Sequence, residues 1–145
     1  MRLGGSDILV AVLEEDHAAS TVAYAADVAR ERNARLTLFT VVPRMPVVMY
    51  PPFAVPYDPR ALEEGSARTL RTASQHVPKD VPVTLQLARG GIVRETVLRA
   101  ASGGHDLIVL GGDHRRGVAR RVIRRAGVPV VIVDDHRHGN RAARA

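Results

Sequence analysis

The chain has no cysteine. Disulfides, thiolate metal sites and cysteine nucleophiles are therefore excluded together. Lysine is nearly missing too: Lys79 is the only one, so arginine carries almost all the positive charge. Aromatic residues make up 3% of the sequence, too few for the stacking platforms that hold single-stranded nucleic acid. No apolar run approaches the roughly 18 residues that a membrane-spanning helix requires. The opening stretch, Met1 to Asp7, reaches charge before any hydrophobic run long enough for a secretory signal. The expectation is a cytoplasmic protein without membrane association. Serine is scarce at strand ends and no G-x-S-x-G elbow occurs. Six histidines are present (17, 76, 105, 114, 136 and 138), and only His136 and His138 stand close together, in a tail beside Asp134 and Asp135. That pair reads as adventitious, so neither a metal site nor a catalytic constellation is expected.

What is present points to one packed domain. The length of 145 residues and an apolar content of 46% suffice for a single core without staples. Five apolar runs alternate with four helical patterns: Ile8–Leu13, Leu36–Val42, Val83–Leu87, Asp106–Leu110 and Val128–Val133 are the predicted strands. Asp16 is a candidate N-cap for a helix carrying Ala18, Val22, Ala25, Ala26 and Ala29 inward as far as Asn33. Asp58-Pro59 reads as N-cap and N1 proline of the second helix, which turns Leu62, Thr69, Leu70, Ala73 and Val77 inward. The third strand alternates apolar and polar residues, which places it at a sheet edge. Gly90-Gly91 precedes a third helix, closed by Gly103-Gly104. A short helix over about 116–125 leads to the last strand.

Such alternation dictates parallel strands joined by right-handed crossovers. The predicted fold class is α/β: a single doubly wound domain with a five-stranded parallel sheet in the order 3-2-1-4-5 and helices on both faces. The domain is expected to span residues 1–135, with a proline-rich insertion loop at 43–59 that holds six of the nine prolines, and a loose polar tail at 136–145. In open sheets of this kind ligands bind beyond the carboxyl ends of the strands, where the strand order reverses. The segments to inspect are therefore 13–16 and 111–117. Gly111-Gly112 joins a buried strand to a helix, where glycines let backbone amides approach a phosphate.

ILVAV at the start, the alanine-rich first helix, LTLFTVVP, the Gly90 turn, DLIVLGG and the closing PVVIV occur in this order. Over residues 7–134 the chain resembles the universal stress proteins, a Rossmann-like family related to the adenine nucleotide alpha hydrolases. The resemblance implies that fold, a role in stress response, and a homodimer formed through the last strand, here Val130, Val131, Ile132 and Val133. It also implies a nucleotide crevice at Ala11, Val12, Leu13, Val41, Gly111, Gly112, His114, Arg115, Arg116 and Gly117, with ATP as its ligand in one branch of the family. That branch carries G-x2-G-x9-G-[ST] after the fourth strand and an aspartate ending the first. In this sequence Leu13 takes the place of the aspartate, His114 that of the second glycine, and the rest of the motif is absent. Gly117 and Gly127 keep a nine-residue spacing, but Val128 follows and the last strand begins there. The implied function is a non-catalytic, dimeric stress-response protein with a degenerate nucleotide crevice. The alternative is a working ATP or adenine-nucleotide binder, or a weak nucleotide hydrolase, for which only Glu14, Glu15 and Asp113 supply carboxylates. A phosphoacceptor receiver domain is excluded, because its strand-end aspartate and lysine are replaced by Leu87-Ala88-Arg89 and Val133-Asp134.

One further feature concerns partners. The net charge is +6, and six arginines fall within the eleven residues from Arg115 to Arg125. Arg120, Arg121, Arg124 and Arg125 share the face opposite Val118, Ala119, Val122, Ile123 and Ala126. Such a stripe suits an anionic ligand or an acidic partner protein.

Overall fold

The computed structural model describes residues 7–12, 18–42, 47–50, 53–56, 58–111, 117–133 and 140–143. Its central strand is β1 (Asp7–Ala11), whose apolar residues from Ile8 onward are fully buried because helices cover both sides of the sheet. Parallel neighbours flank it: β2 (Arg35–Val42) on one side and β6 (Leu107–Gly111) on the other. Next to β2 lies β5 (Val83–Arg89), and next to β6 lies β7 (Val130–Val133). The five parallel strands thus run in the expected order, third-second-first-fourth-fifth along the chain.

The helices split the core into two layers. α1 (Ala18–Arg32) and α2 (Pro59–Ser74) pack on the face carrying Ile8, Val10, Leu36, Leu38 and Val109. α3 (Ile92–Ser102) and α4 (Val118–Arg125) pack on the face carrying Leu9, Phe39, Ile108 and Val130. Each fully buried valine, leucine or isoleucine contributes about 1.5–3 kcal/mol, so the central strands dominate the stability. α1 buries mainly alanines, which lets its axis come close to the sheet. It ends at Asn33, whose φ of 54° is left-handed, and the Ala34 amide donates back to the Ala29 carbonyl at 2.8 Å. α2 starts as its sequence predicts: Asp58 Oδ1 accepts from the Arg60 amide at 3.0 Å, and Pro59 opens the first turn.

Two segments differ from expectation. Within the proline-rich segment the chain forms an antiparallel hairpin of β3 (Val47–Tyr50) and β4 (Phe53–Pro56), with Val47 opposite Pro56. It is a sheet of its own, where a proline in a strand costs only one ladder bond. Within the tail expected to be loose, β8 (Asn140–Ala143) adds antiparallel to β7, with Val130 opposite Ala143 and Val133 opposite Asn140. The rim that the sequence leaves bare at Val130–Val133 is thus paired by the chain itself. An apolar edge strand demands backbone partners, and ten residues further on the chain supplies them. Within the expected insertion loop and loose tail, the described residues are therefore these paired strands. β5 lies at the opposite rim, as its alternation predicts. Among the described residues no helix is long and apolar enough to cross a membrane.

Candidate functional site

β1 and β6 lie side by side with Ala11 opposite Leu110, and the strand order reverses between them. Their carboxyl ends define the crevice where a ligand of this fold would sit. Ala11 and Val12 end β1 and are buried, and the Val12 amide extends the ladder by donating to the Phe39 carbonyl at 2.8 Å. They contribute backbone and apolar wall, with no charge to meet a ribose or a phosphate.

Gly111 ends β6 at the floor of this crevice. A Cβ built there would lie 1.8 Å from Thr21 Oγ1 and 2.9 Å from Thr21 Cβ. Thr21 is a buried residue of α1, only 1% exposed, and its helix crosses directly over the strand end. The glycine is thus required by the close approach of α1, a packing reason independent of any phosphate. Gly117 stands at the start of α4 with φ 71°, and a Cβ there would meet nothing within 4 Å. It gives the helix no side-chain cap, so the first-turn amides of α4 have no side-chain acceptor among the described residues. Arg121 Nε folds back to the Gly117 carbonyl at 3.4 Å. Leu13, Gly112, His114, Arg115 and Arg116 lie outside the described residues.

Val41 lies at the other half of the same edge. With Thr40 it lines a cleft of about 290 Å³, closed on its far side by Ala61, Leu62, Gly65, Ser66 and Thr69 of α2. Three hydroxyl-bearing residues, Thr40, Ser66 and Thr69, therefore line this cleft; Thr69 Oγ1 donates to the Gly65 carbonyl at 3.1 Å. The sequence reading placed Thr69 inward but did not connect it with Ser66 and Thr40. The i, i+3 spacing of Ser66 and Thr69 on α2 is the available signal, while their pairing with Thr40 of β2 needs the tertiary fold.

The remaining polar clusters serve the scaffold. His105 is buried, with Nδ1 3.0 Å from the Arg99 carbonyl and Nε2 3.3 Å from Thr37 Oγ1, which ties the end of α3 to β2. The Arg99 guanidinium bonds Glu95 at 3.1 Å and stands 5.6 Å from the centre of the Phe39 ring. At the amino ends of the strands, Arg30 clasps Asp80 through two bonds of 2.8 and 3.0 Å. That hydrogen bonding holds the Asp80 carboxyl below the usual carboxylate range. The pair borders a second cleft of about 350 Å³, at the end of the sheet away from the crevice. Arg89 pairs with Glu63 across the β5–α2 contact. Val122 and Ala126 of the α4 region are buried while Arg120, Arg121, Arg124 and Arg125 are exposed, so the two faces separate as expected. Among the described residues no carboxylate pairs with these four arginines, and no cluster of metal-ligating side chains occurs.

The chain matches the universal stress protein family over residues 6–134. Its fold is similar to that of a universal stress protein family member from Burkholderia pseudomallei, at 28% identity and a TM-score of 0.69, covering 88% of this chain and 95% of the other. It is also similar to the universal stress protein of Archaeoglobus fulgidus in complex with dAMP, at 19% identity and a TM-score of 0.64, covering 90% and 98%. A family protein of Arabidopsis thaliana with AMP bound superimposes at 13% identity and a TM-score of 0.60, covering 91% and 93%. No curated protein matches the chain in sequence. A match that runs from the first strand to the end of the last parallel one, on a sheet of the same order, makes this chain a member of the universal stress protein family.

Proposed function

We propose that the protein is a non-catalytic, cytoplasmic regulatory member of this family whose crevice has lost its grip on a triphosphate. One observation carries the reading. Counted from Gly111, the G-x2-G-x9-G-[ST] frame puts its third glycine and its hydroxyl residue at Arg124 and Arg125. Both belong to the last turn of α4, a helix already complete where the phosphate loop should end. Gly111 has its packing role against Thr21, and Leu13 brings no carboxylate. A chromatographic assay of nucleotide released from the purified protein tests this. Substoichiometric ATP is the expected result; one ATP per chain would contradict it.

A second reading is favoured by the hydroxyl-lined cleft at Thr40, Ser66 and Thr69. In it the protein binds an adenine nucleotide of fewer phosphates, which asks less of the α4 side. The relatives from Archaeoglobus and Arabidopsis hold dAMP and AMP, ligands of that kind.

Two partner proposals accompany this function. Assembly through Val130–Val133 carries an added condition, because β8 must leave that rim before a second copy's β7 can pair there. The four exposed arginines of α4 are proposed to recruit an anionic partner. Reversing Arg120, Arg121, Arg124 and Arg125 to glutamate should abolish binding to a polyanion such as heparin or duplex DNA without unfolding the protein. Binding of the native chain should fall linearly on a log-log salt plot. Equal retention of both proteins would remove the proposal.

A further inference from the structure

Among the described residues three large apolar side chains are exposed, and two of them, Val83 at 37% and Leu85 at 41%, stand on one face of β5. The strand is seven residues long, and among the described residues it pairs with β2 on one side only. Its free side follows from its register. The Leu36 amide donates to the Pro82 carbonyl at 2.9 Å, while Leu36 lies opposite Val83. In a parallel ladder this directs the backbone groups of residues 82, 84, 86 and 88 towards β2. The amides and carbonyls of Val83, Leu85, Leu87 and Arg89 therefore point outward, an edge with no strand partner among the described residues and without lysine or bulge.

We propose that this edge is a self-association surface, where β5 of a second copy pairs antiparallel about a two-fold axis at Leu85. The chemistry of the strand selects that occupant. A helix or a loop cannot satisfy a regular row of alternating donors and acceptors; an extended strand can. The sequence Val-Thr-Leu-Gln-Leu reads apolar-polar-apolar-polar-apolar in both directions. Centring the axis on Leu85 sets Leu85 against Leu85 and Val83 against Leu87, with Thr84 against Gln86 on the other face. The outward-pointing residues 83, 85 and 87 then face one another as bonded pairs, giving about six backbone bonds. The exposed apolar side chains of both copies merge into one strip beside Leu87, which already packs against the α1–α2 layer. This register sets Arg89 against Val81, whereas a centre at Arg89 would oppose two like charges. A closed two-fold contact of this kind joins two sheets into one and leaves neither copy's β5 open. The contact is independent of the nucleotide reading and lies on the rim opposite β7.

Sedimentation of the full chain tests it. At tens of micromolar the native protein is expected as a dimer, and Leu85→Lys as a monomer with an unchanged circular-dichroism spectrum and a melt that no longer rises with protein concentration. Should Leu85→Lys not fold, Leu85→Thr keeps the strand propensity and should weaken the dimer at least tenfold. Hydrogen exchange adds a local readout: the Leu85 and Leu87 amides should slow as protein concentration rises. Deleting residues 136–145 removes β8 and separates this contact from one through β7. A native chain that stays monomeric, a folded Leu85 variant that still dimerises, or a dimer that forms only after the deletion would overturn the proposal.

Discussion

Gly65 and Gly111 border the two halves of the carboxyl edge, and a methyl group added to each would meet opposite surroundings. At Gly65, on α2 beside the β2 cleft, a Cβ meets nothing within 4 Å. At Gly111, where β6 ends, it would run into Thr21 at 1.8 Å. One half of the edge is open and lined with hydroxyls; the other is closed by the packing of α1. A glycine at the strand end of an α/β sheet thus has two physical explanations, backbone approach to a phosphate or helix approach to the strand, and the neighbour's distance decides between them.

The comparison is most strongly tested by Gly111→Ala. With Thr21 fully buried, neither side can yield without moving a helix, and overpacking of this kind costs about 1–3 kcal/mol. The expected loss lies at the top of that range, read by chemical denaturation. Adding Thr21→Ala removes the hydroxyl that makes the closest contact, so the double variant should recover at least ~1 kcal/mol of coupling. Purely additive losses would show that the glycine is kept for some other reason. The smaller effect has the opposite sign. Gly65→Ala replaces a helix-interior glycine that has space around it, so it should stabilise the protein by about 0.5–1 kcal/mol. Destabilisation there would mean that the cleft is tighter than its geometry.

The sequence was most informative where local chemistry and burial agree. The continuous apolar run of β1, the Asp58-Pro59 helix start, the alternation in β5 and the two faces of α4 were each legible from a few residues, because each reports one neighbour relation along one element. The strands inside the proline-rich segment and the tail were not legible for a different reason. Proline density around Pro51 and Pro52 suggested a loop, but two flanking apolar quartets, Val47–Tyr50 and Phe53–Pro56, still pair as a hairpin. In the tail, Asn140–Ala143 carries too little apolar character to announce a strand, and it pairs because β7 presents a ready edge. Tertiary demand there overrides local propensity. The same logic moves the question of an open edge from β7 to β5. At the site, Gly111 is legible from its position at a strand end and Val41 only through the family resemblance, while Thr21, Thr40 and Ser66 come into play only through helices that cross the strand ends.

The central proposal is that a chain with the family fold no longer grips a triphosphate; α4 standing where the motif would end and Gly111 packing against α1 support it. Calorimetric titration of the full chain with ATP and magnesium tests it most directly. The account predicts no saturable heat at micromolar ATP, with any binding confined to the millimolar range. A dissociation constant in the low micromolar range would contradict it.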